Sequence, residues 1–263
     1  MNIYIKFLAN NRFTTFFSKE NRKMQLIPSE FPFVPPLSKS GKGRNKKEDK
    51  AKDEPSEIND EELGIDTDTG RLHCLTIIGQ VEGHYILGER EKTTKYEHVI
   101  PLLVSIEESE EIDGLLIILN TMGGDVEAGL AIAEMIASMK KPTVSLVIGG
   151  GHSIGVPLAV AAQKSFIVPS ATMTVHPVRI NGTVIGARQT YNYLRDMQSR
   201  IVKFIVSHSL VDEDTLTELM TRPDEMATDI GSILDGGEAV KIGLIDRVGG
   251  LSDAISELKR MIK

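Results

Sequence analysis

The chain has 263 residues, 41% of them hydrophobic, and a formal net charge of −7 from 30 Lys and Arg against 37 Asp and Glu. This apolar content excludes a wholly disordered chain, and the negative charge argues against nucleic acid as a partner. The single cysteine excludes an internal disulfide and a cysteine-based zinc site, and it suits a reducing compartment, so we expect a cytoplasmic protein.

The first 70 residues differ in composition from the rest. Basic residues are concentrated in 39–52, acidic residues follow in 54–68, and four prolines interrupt 28–36. Such a stretch buries too little apolar surface to offset chain entropy, so we predict a disordered tail over 1–70. Its basic block could contact acidic lipid or a partner. A segment of this composition is more often a solvated linker. We expect neither a signal peptide nor a membrane-spanning helix.

Residues 71–263 form one predicted domain, in which strands and helices alternate. Alternating residues predict a strand at 72–78, and continuous apolar runs predict buried strands at 115–119 and 143–148. Helical spacing predicts helices at 125–139 and 186–208. The other predicted elements are a helix at 153–162, strands at 165–168 and 171–175, and helices at 213–221, 238–242 and 252–262. This order predicts an α/β fold with a parallel sheet.

A G-x-S-x-G segment, Gly151-His152-Ser153-Ile154-Gly155, joins the strand at 143–148 to a helix. Glycines beside a serine allow a sharp turn that lifts its hydroxyl into a cleft near free N–H groups of the helix start. This pattern favours a nucleophile, although a serine that caps a helix is the simpler alternative.

A second pair of glycines, Gly123-Gly124, follows the strand at 115–119. Neighbouring parallel strands end at one edge of the sheet, so a backbone N–H here can point at the same oxyanion. An ordinary turn with Asp125 as the helix N-cap is compatible with that role.

A serine nucleophile needs a base, and two histidines follow Ser153 in the chain. His176 comes at the end of a predicted apolar strand. His208 comes at the end of a predicted helix, where a cationic side chain interacts with the helix dipole. We therefore predict His176 as the base.

Four segments in order resemble the ClpP serine protease family. Residues 120–130 resemble its N-S-P-G-G-x-V-x-A-G-L element, 149–155 its nucleophile segment, 173–177 its histidine strand, and 238–246 its closing E-A-x-x-x-G-L-I-D. By position, the resemblance implies Ser153 as nucleophile, His176 as general base, and the backbone N–H groups of Gly124 and Ile154 as oxyanion hole.

The resemblance also implies a crotonase-like ββα spiral fold and a homo-oligomer of two stacked heptameric rings that enclose the sites. Residues 190–208 correspond to the helix that joins the rings. The implied substrates are peptides or unfolded proteins, and neither a cofactor nor a metal is implied.

The sequence departs from the family at four positions. Counting back from Gly243 places the third triad residue at Gly231, so we predict Asp229, two residues away, with Asp224 and Asp235 as competitors. The other three departures are Met122 for a proline, His152 for a small residue, and Pro177 for a glutamine. They leave open whether a Clp-type ATPase binds.

Three other functions remain alternatives. An α/β-hydrolase esterase needs the order Ser, Asp, His, which only Ser153, Asp196 and His208 offer, the last two on one helix. A crotonase-type acyl-CoA enzyme shares the fold but has no use for a serine–histidine pair. The third alternative is a catalytically silent scaffold or adaptor.

Overall fold

The computed structural model describes residues 13–16, 25–28, 65–88, 90–180, 186–223 and 230–263. The chain divides into two compact units, Met1–Pro55 and Ser56–Lys263. In the first unit, strands β1 (Phe13–Phe16) and β2 (Gln25–Pro28) pair antiparallel, although the sequence predicted no strand there. Of the rest of the predicted tail, residues 1–12, 17–24 and 29–64 lie outside the described residues, whereas 65–70 are described and belong to the second unit.

The second unit alternates strands and helices, as the sequence predicts. The strands are β3 (Ile65–Thr67), β4 (Gly70–Glu82), β5 (Thr93–Lys95), β6 (Gly114–Gly124), β7 (Thr143–Gly151), β8 (Lys164–Ile167), β9 (Thr172–Val175), β10 (Ser232–Asp235) and β11 (Arg247–Val248). The helices are α1 (Tyr96–Glu108), α2 (Val126–Ser138), α3 (Gly155–Val160), α4 (Ala187–Ser207), α5 (Glu213–Thr221), α6 (Gly236–Lys241) and α7 (Leu251–Ile262).

One sheet contains the nine described strands of this unit. Its order is β10-β9-β7-β6-β4-β3, with β5 beside β4, β8 beside β7 and β11 beside β8. Strands β4, β6, β7 and β8 pair in parallel, whereas β9 and β10 pair antiparallel. The predicted α/β fold with a parallel sheet is confirmed.

The central strands are apolar throughout because both faces of the sheet are covered. Side chains alternate between the faces of a strand, so Leu115 and Ile117 of β6 join the core that contains α1 to α5. Leu116, between them, faces a second core, which helix α7 closes with Ala254 and Leu258. Continuous apolar runs are typical of such doubly covered strands.

Three helices differ from the sequence analysis by more than one residue, and of these α6 begins at Gly236 rather than at 238. Helix α1 was not predicted, and it contains Pro101, a residue that ordinarily interrupts a helix. Helix α3 begins at Gly155 rather than at 153, because the backbone of Ser153 is not helical. In the described part of the chain, no helix combines the length and the apolar character needed to cross a membrane.

Candidate active site

The turn that contains Ser153 connects strand β7 to helix α3 and is held by backbone hydrogen bonds. The Ser153 N–H donates to the Thr174 carbonyl at 2.9 Å, and the His152 N–H donates to the Thr121 carbonyl at 3.1 Å. Ser153 has a φ of 57°, and no other described non-glycine residue has a positive φ. Backbone strain of this kind is common where a nucleophile is presented to a cleft.

The glycine pair at the end of β6 lies directly against this turn. A Cβ on Gly123 would lie 2.7 Å from the Ser153 Cβ and 3.2 Å from its Oγ. A Cβ on Gly124 would lie 2.2 Å from the Val81 carbonyl oxygen. Both glycines also have positive φ values, 96° and 154°. Only glycine fits both the positive φ values and the small space at these positions. The lack of a Cβ on Gly123 lets the backbone of β6 approach Ser153 closely.

His176 follows the last residue of strand β9, and its ring nitrogen Nδ1 lies 2.7 Å from the Pro177 carbonyl oxygen. A carbonyl only accepts hydrogen bonds, so Nδ1 must donate. In the neutral imidazole the other nitrogen, Nε2, is then unprotonated. This tautomer is the one that can accept a proton from a hydroxyl group.

A cavity of about 280 Å³ brings the predicted residues together. Ser153, His176, Gly124 and Ile154 all line it, and Arg179 adds a charged side chain to its wall. The remaining lining residues are apolar: Met122, Val126, Val156, Val175, Val178, Ile201, Ile205 and Met220. Within the described residues, no hydrogen bond joins the Ser153 hydroxyl to the His176 ring, which is bonded to Pro177 instead.

The predicted third residue, Asp229, lies outside the described residues, as does its competitor Asp224. The other competitor, Asp235, is the N-cap of helix α6, where its carboxylate accepts the Glu238 N–H at 2.8 Å. Gly231, which follows the undescribed segment, lies beside the predicted base. A Cβ on Gly231 would lie 2.8 Å from the Cβ of His176.

His152 makes a contact that the sequence analysis missed. Its Nδ1 lies 2.9 Å from the Thr174 hydroxyl oxygen, and burial lowers the pKa of its imidazole. The ring also lines a second cavity, of about 530 Å³, and Met122 contributes to the walls of both cavities. The sequence contained no signal for this contact, because Thr174 belongs to a strand 22 residues away.

The residues of the esterase alternative lie elsewhere. Nδ1 of His208 is 2.8 Å from the Phe204 carbonyl oxygen, and its ring stacks on that of Phe204. Asp196 is exposed and pairs with Arg195 at 2.9 Å. Neither lines the cavity at Ser153.

Known proteins resemble the chain over much of its length. The family model described as Clp protease matches residues 70–251. The translocation-enhancing protein TepA of Halalkalibacterium halodurans is 57% identical over 192 residues, which cover 73% of this chain and 75% of that protein. Subunit 1 of the proteolytic component of ATP-dependent Clp protease from Chlamydia muridarum is 25% identical over 140 residues, covering 51% of this chain and 69% of the relative.

The fold is also that of a solved structure. A mutant of ClpP1 from Listeria monocytogenes superposes with a TM-score of 0.54 at 22% identity. The superposition covers 69% of this chain and 94% of that protein. At this identity the likeness concerns the fold alone, and it agrees with the ClpP-like fold expected from the sequence.

Proposed function

The chain belongs to the Clp protease family, and we propose that it is a serine endopeptidase of the ClpP type. The observation that carries the proposal is the shared cavity, which is lined by a serine with a strained backbone, by a histidine whose Nδ1 is bonded to a carbonyl, and by Gly124. The apolar walls suit an uncharged side chain of an unfolded protein or peptide.

In the proposed reaction, Nε2 of His176 takes the proton of the Ser153 hydroxyl while Oγ attacks the carbonyl carbon of a peptide bond. The N–H groups of Gly124 and Ile154 stabilise the oxyanion of the tetrahedral intermediate. The intermediate collapses, and the imidazolium protonates the leaving amine. Water, deprotonated by His176, then hydrolyses the acyl-enzyme and regenerates the serine. Nε2 of His176 and the Ser153 hydroxyl must come within hydrogen-bond reach before the first step, since catalytic hydrogen bonds are often long or poorly aligned without substrate.

Labelling with a fluorophosphonate probe tests this proposal, because the probe reacts with an activated serine hydroxyl. We expect covalent labelling at Ser153, identified by peptide mass, and its loss in Ser153→Ala and in His176→Ala. The variant His208→Ala is the matched control and should be labelled like the unmodified protein, since His208 is bonded to Phe204 outside the cavity. An assembled protein that is not labelled would contradict the proposal.

We propose Asp229 as the group that orients His176, because the chain passes beside the Cβ of His176 two residues later, at Gly231. Asp229→Asn should lower peptide turnover by several orders of magnitude, about 10⁴-fold by analogy with other triads. Asp235→Asn should keep its activity, since asparagine also caps helices well. Asp224→Asn should likewise stay active. Equal turnover in all three variants would exclude Asp229 from the triad.

A catalytically silent scaffold or adaptor is the second candidate. It is favoured by the hydrogen bond that holds the His176 ring at Pro177 rather than at Ser153. If Nε2 of His176 does not come within hydrogen-bond reach of the Ser153 hydroxyl in the working state, the serine has no base. Absence of labelling in the assembled protein would support this candidate.

We propose further that the protein forms a homo-oligomer of heptameric rings, acts in the cytoplasm and encloses its sites, since confinement protects other proteins from an unselective protease. The name of the TepA relative suggests a substrate connected with protein translocation. The names of the Clp relatives suggest an ATPase partner. Met122 and Pro177 differ from the residues that the family has at these positions, so binding of such an ATPase is left open.

A further inference from the structure

Thr174 makes two hydrogen bonds to the nucleophile turn. Its backbone carbonyl accepts the Ser153 N–H at 2.9 Å, and its hydroxyl oxygen lies 2.9 Å from Nδ1 of His152. The two bonds reach consecutive residues of the turn from one residue of strand β9. The same strand leads directly to His176, two residues later.

We propose that His152 is a positioning residue, whose imidazole, bonded to the Thr174 hydroxyl, holds the Ser153 turn at a fixed distance from the strand that leads to His176. This inference rests on the proposed function. It assigns His152 no contact with the substrate and no proton transfer. The pair His152–Thr174 is called the turn clip below.

The surroundings of the turn clip are shaped for an imidazole. A Cβ on Gly150 would lie 2.6 Å from Nε2 of His152, so the glycine two residues earlier leaves the space that the ring occupies. Thr174 is only 9% exposed, and its hydroxyl therefore gains from a protein partner. The turn clip also lies next to a strained backbone position. Ser153 has a φ of 57°, and such a conformation persists only where the surrounding structure holds it.

A positioning residue changes the rate of a step at the serine. We expect His152→Ala and Thr174→Val each to lower the maximal rate of fluorophosphonate labelling by about tenfold, because small displacements of a reacting group are costly. The double variant should lose no more than either single variant, since both remove the same bond. His152→Asn should recover most of the rate, because its amide can bond to the Thr174 hydroxyl in place of Nδ1.

Thr172→Val is the matched control. Thr172 lies on the same strand, and its hydroxyl has no hydrogen-bond partner among the described residues. The Thr172→Val variant should react with the fluorophosphonate probe at the same rate as the unmodified protein. Thermal unfolding of every variant separates a loss of positioning from a loss of folded protein.

The outcomes distinguish this inference from the proposed function. If the unmodified protein is not labelled, the proposed function fails and the positioning role fails with it. If it is labelled but His152→Ala and Thr174→Val react at the same rate as Thr172→Val, only the turn clip is overturned. Losses that multiply in the double variant, or no recovery in His152→Asn, would also overturn it.

Discussion

Ser153 has a backbone conformation that only suitable neighbours permit. Its φ of 57° needs the surrounding hydrogen bonds to hold it, and its side chain needs the space that Gly123 leaves. The glycines of the two motifs therefore have separate physical roles. Gly123 leaves space for the side chain of Ser153, and Gly150 leaves space for the ring of His152. The sequence identified the glycines, but the close approach of Gly123 to Ser153 depends on how strands β6 and β7 pair.

Gly123→Ala should damage the candidate site more than the fold. The added Cβ would lie 2.7 Å from the Ser153 Cβ at a φ of 96°, so the turn must shift. We expect labelling of Ser153 to slow by about 100-fold, as for a nucleophile displaced by roughly 1 Å. Gly88→Ala is the control, because no atom lies within 4 Å of the added Cβ. Equal labelling rates in the two variants would contradict this prediction.

The buried imidazole of His152 predicts a dependence of stability on pH. Burial lowers its pKa in the folded protein below the ordinary value of 6.5, so the unfolded chain binds more protons between the two values. The free energy of unfolding should therefore fall as the pH decreases from about 6.5 toward the folded pKa. Above 6.5 this contribution is fully present.

Denaturant unfolding of the unmodified protein and of His152→Asn, at several pH values on both sides of 6.5, measures this contribution. The variant has no titrating group at 152, so the difference in stability should shrink as the pH falls. Parallel curves for the two proteins would show that His152 titrates alike in the folded and unfolded chains.

Helix α7 covers the second core, and its contribution to stability can be measured separately from the active site. Leu258 is fully buried against the sheet, whereas Leu251 on the same helix is 51% exposed. Leu258→Ala should lower the free energy of unfolding by about 2–5 kcal/mol, as is usual for a buried leucine. Leu251→Ala should change it by less than about 0.5 kcal/mol. Similar losses in denaturant unfolding would mean that α7 is not packed as described.

Some strands and helices could be predicted from the sequence, whereas others could not. The run at 115–119 predicted a buried strand because both faces of β6 are apolar. Helix α1 was missed because Pro101 breaks the usual helical pattern, and packing of Val99, Leu103 and Ile106 in the core compensates for it. Strand β10 was missed because only two of its residues, Ile233 and Leu234, are apolar, and antiparallel pairing with β9 defines it.

At the level of the whole molecule, the proposed ring assembly makes a measurable prediction. Helix α4 corresponds to the segment that joins rings in the resemblance, and it exposes Tyr191 and Tyr193. Native mass spectrometry should detect fourteen chains of 28.9 kDa. The double variant Tyr191→Asp, Tyr193→Asp should separate the rings, because charges in an apolar interface are costly. Tyr85→Asp, at a still more exposed tyrosine outside α4, is the control. A monomer in the unmodified protein would contradict the assembly.

The sequence alone determined the family, the α/β order of elements and the residue types of the candidate site, because short motifs and apolar runs are local patterns. Only the tertiary structure decided that Ser153 and His176 line one cavity, that His176 bonds to Pro177, and that Thr174 holds His152. Apart from the bond between the adjacent residues His176 and Pro177, these contacts join the turn after β7 to β9 and the residue that follows it. Their geometry depends on how the strands pair, and local patterns along a chain do not record distances between strands.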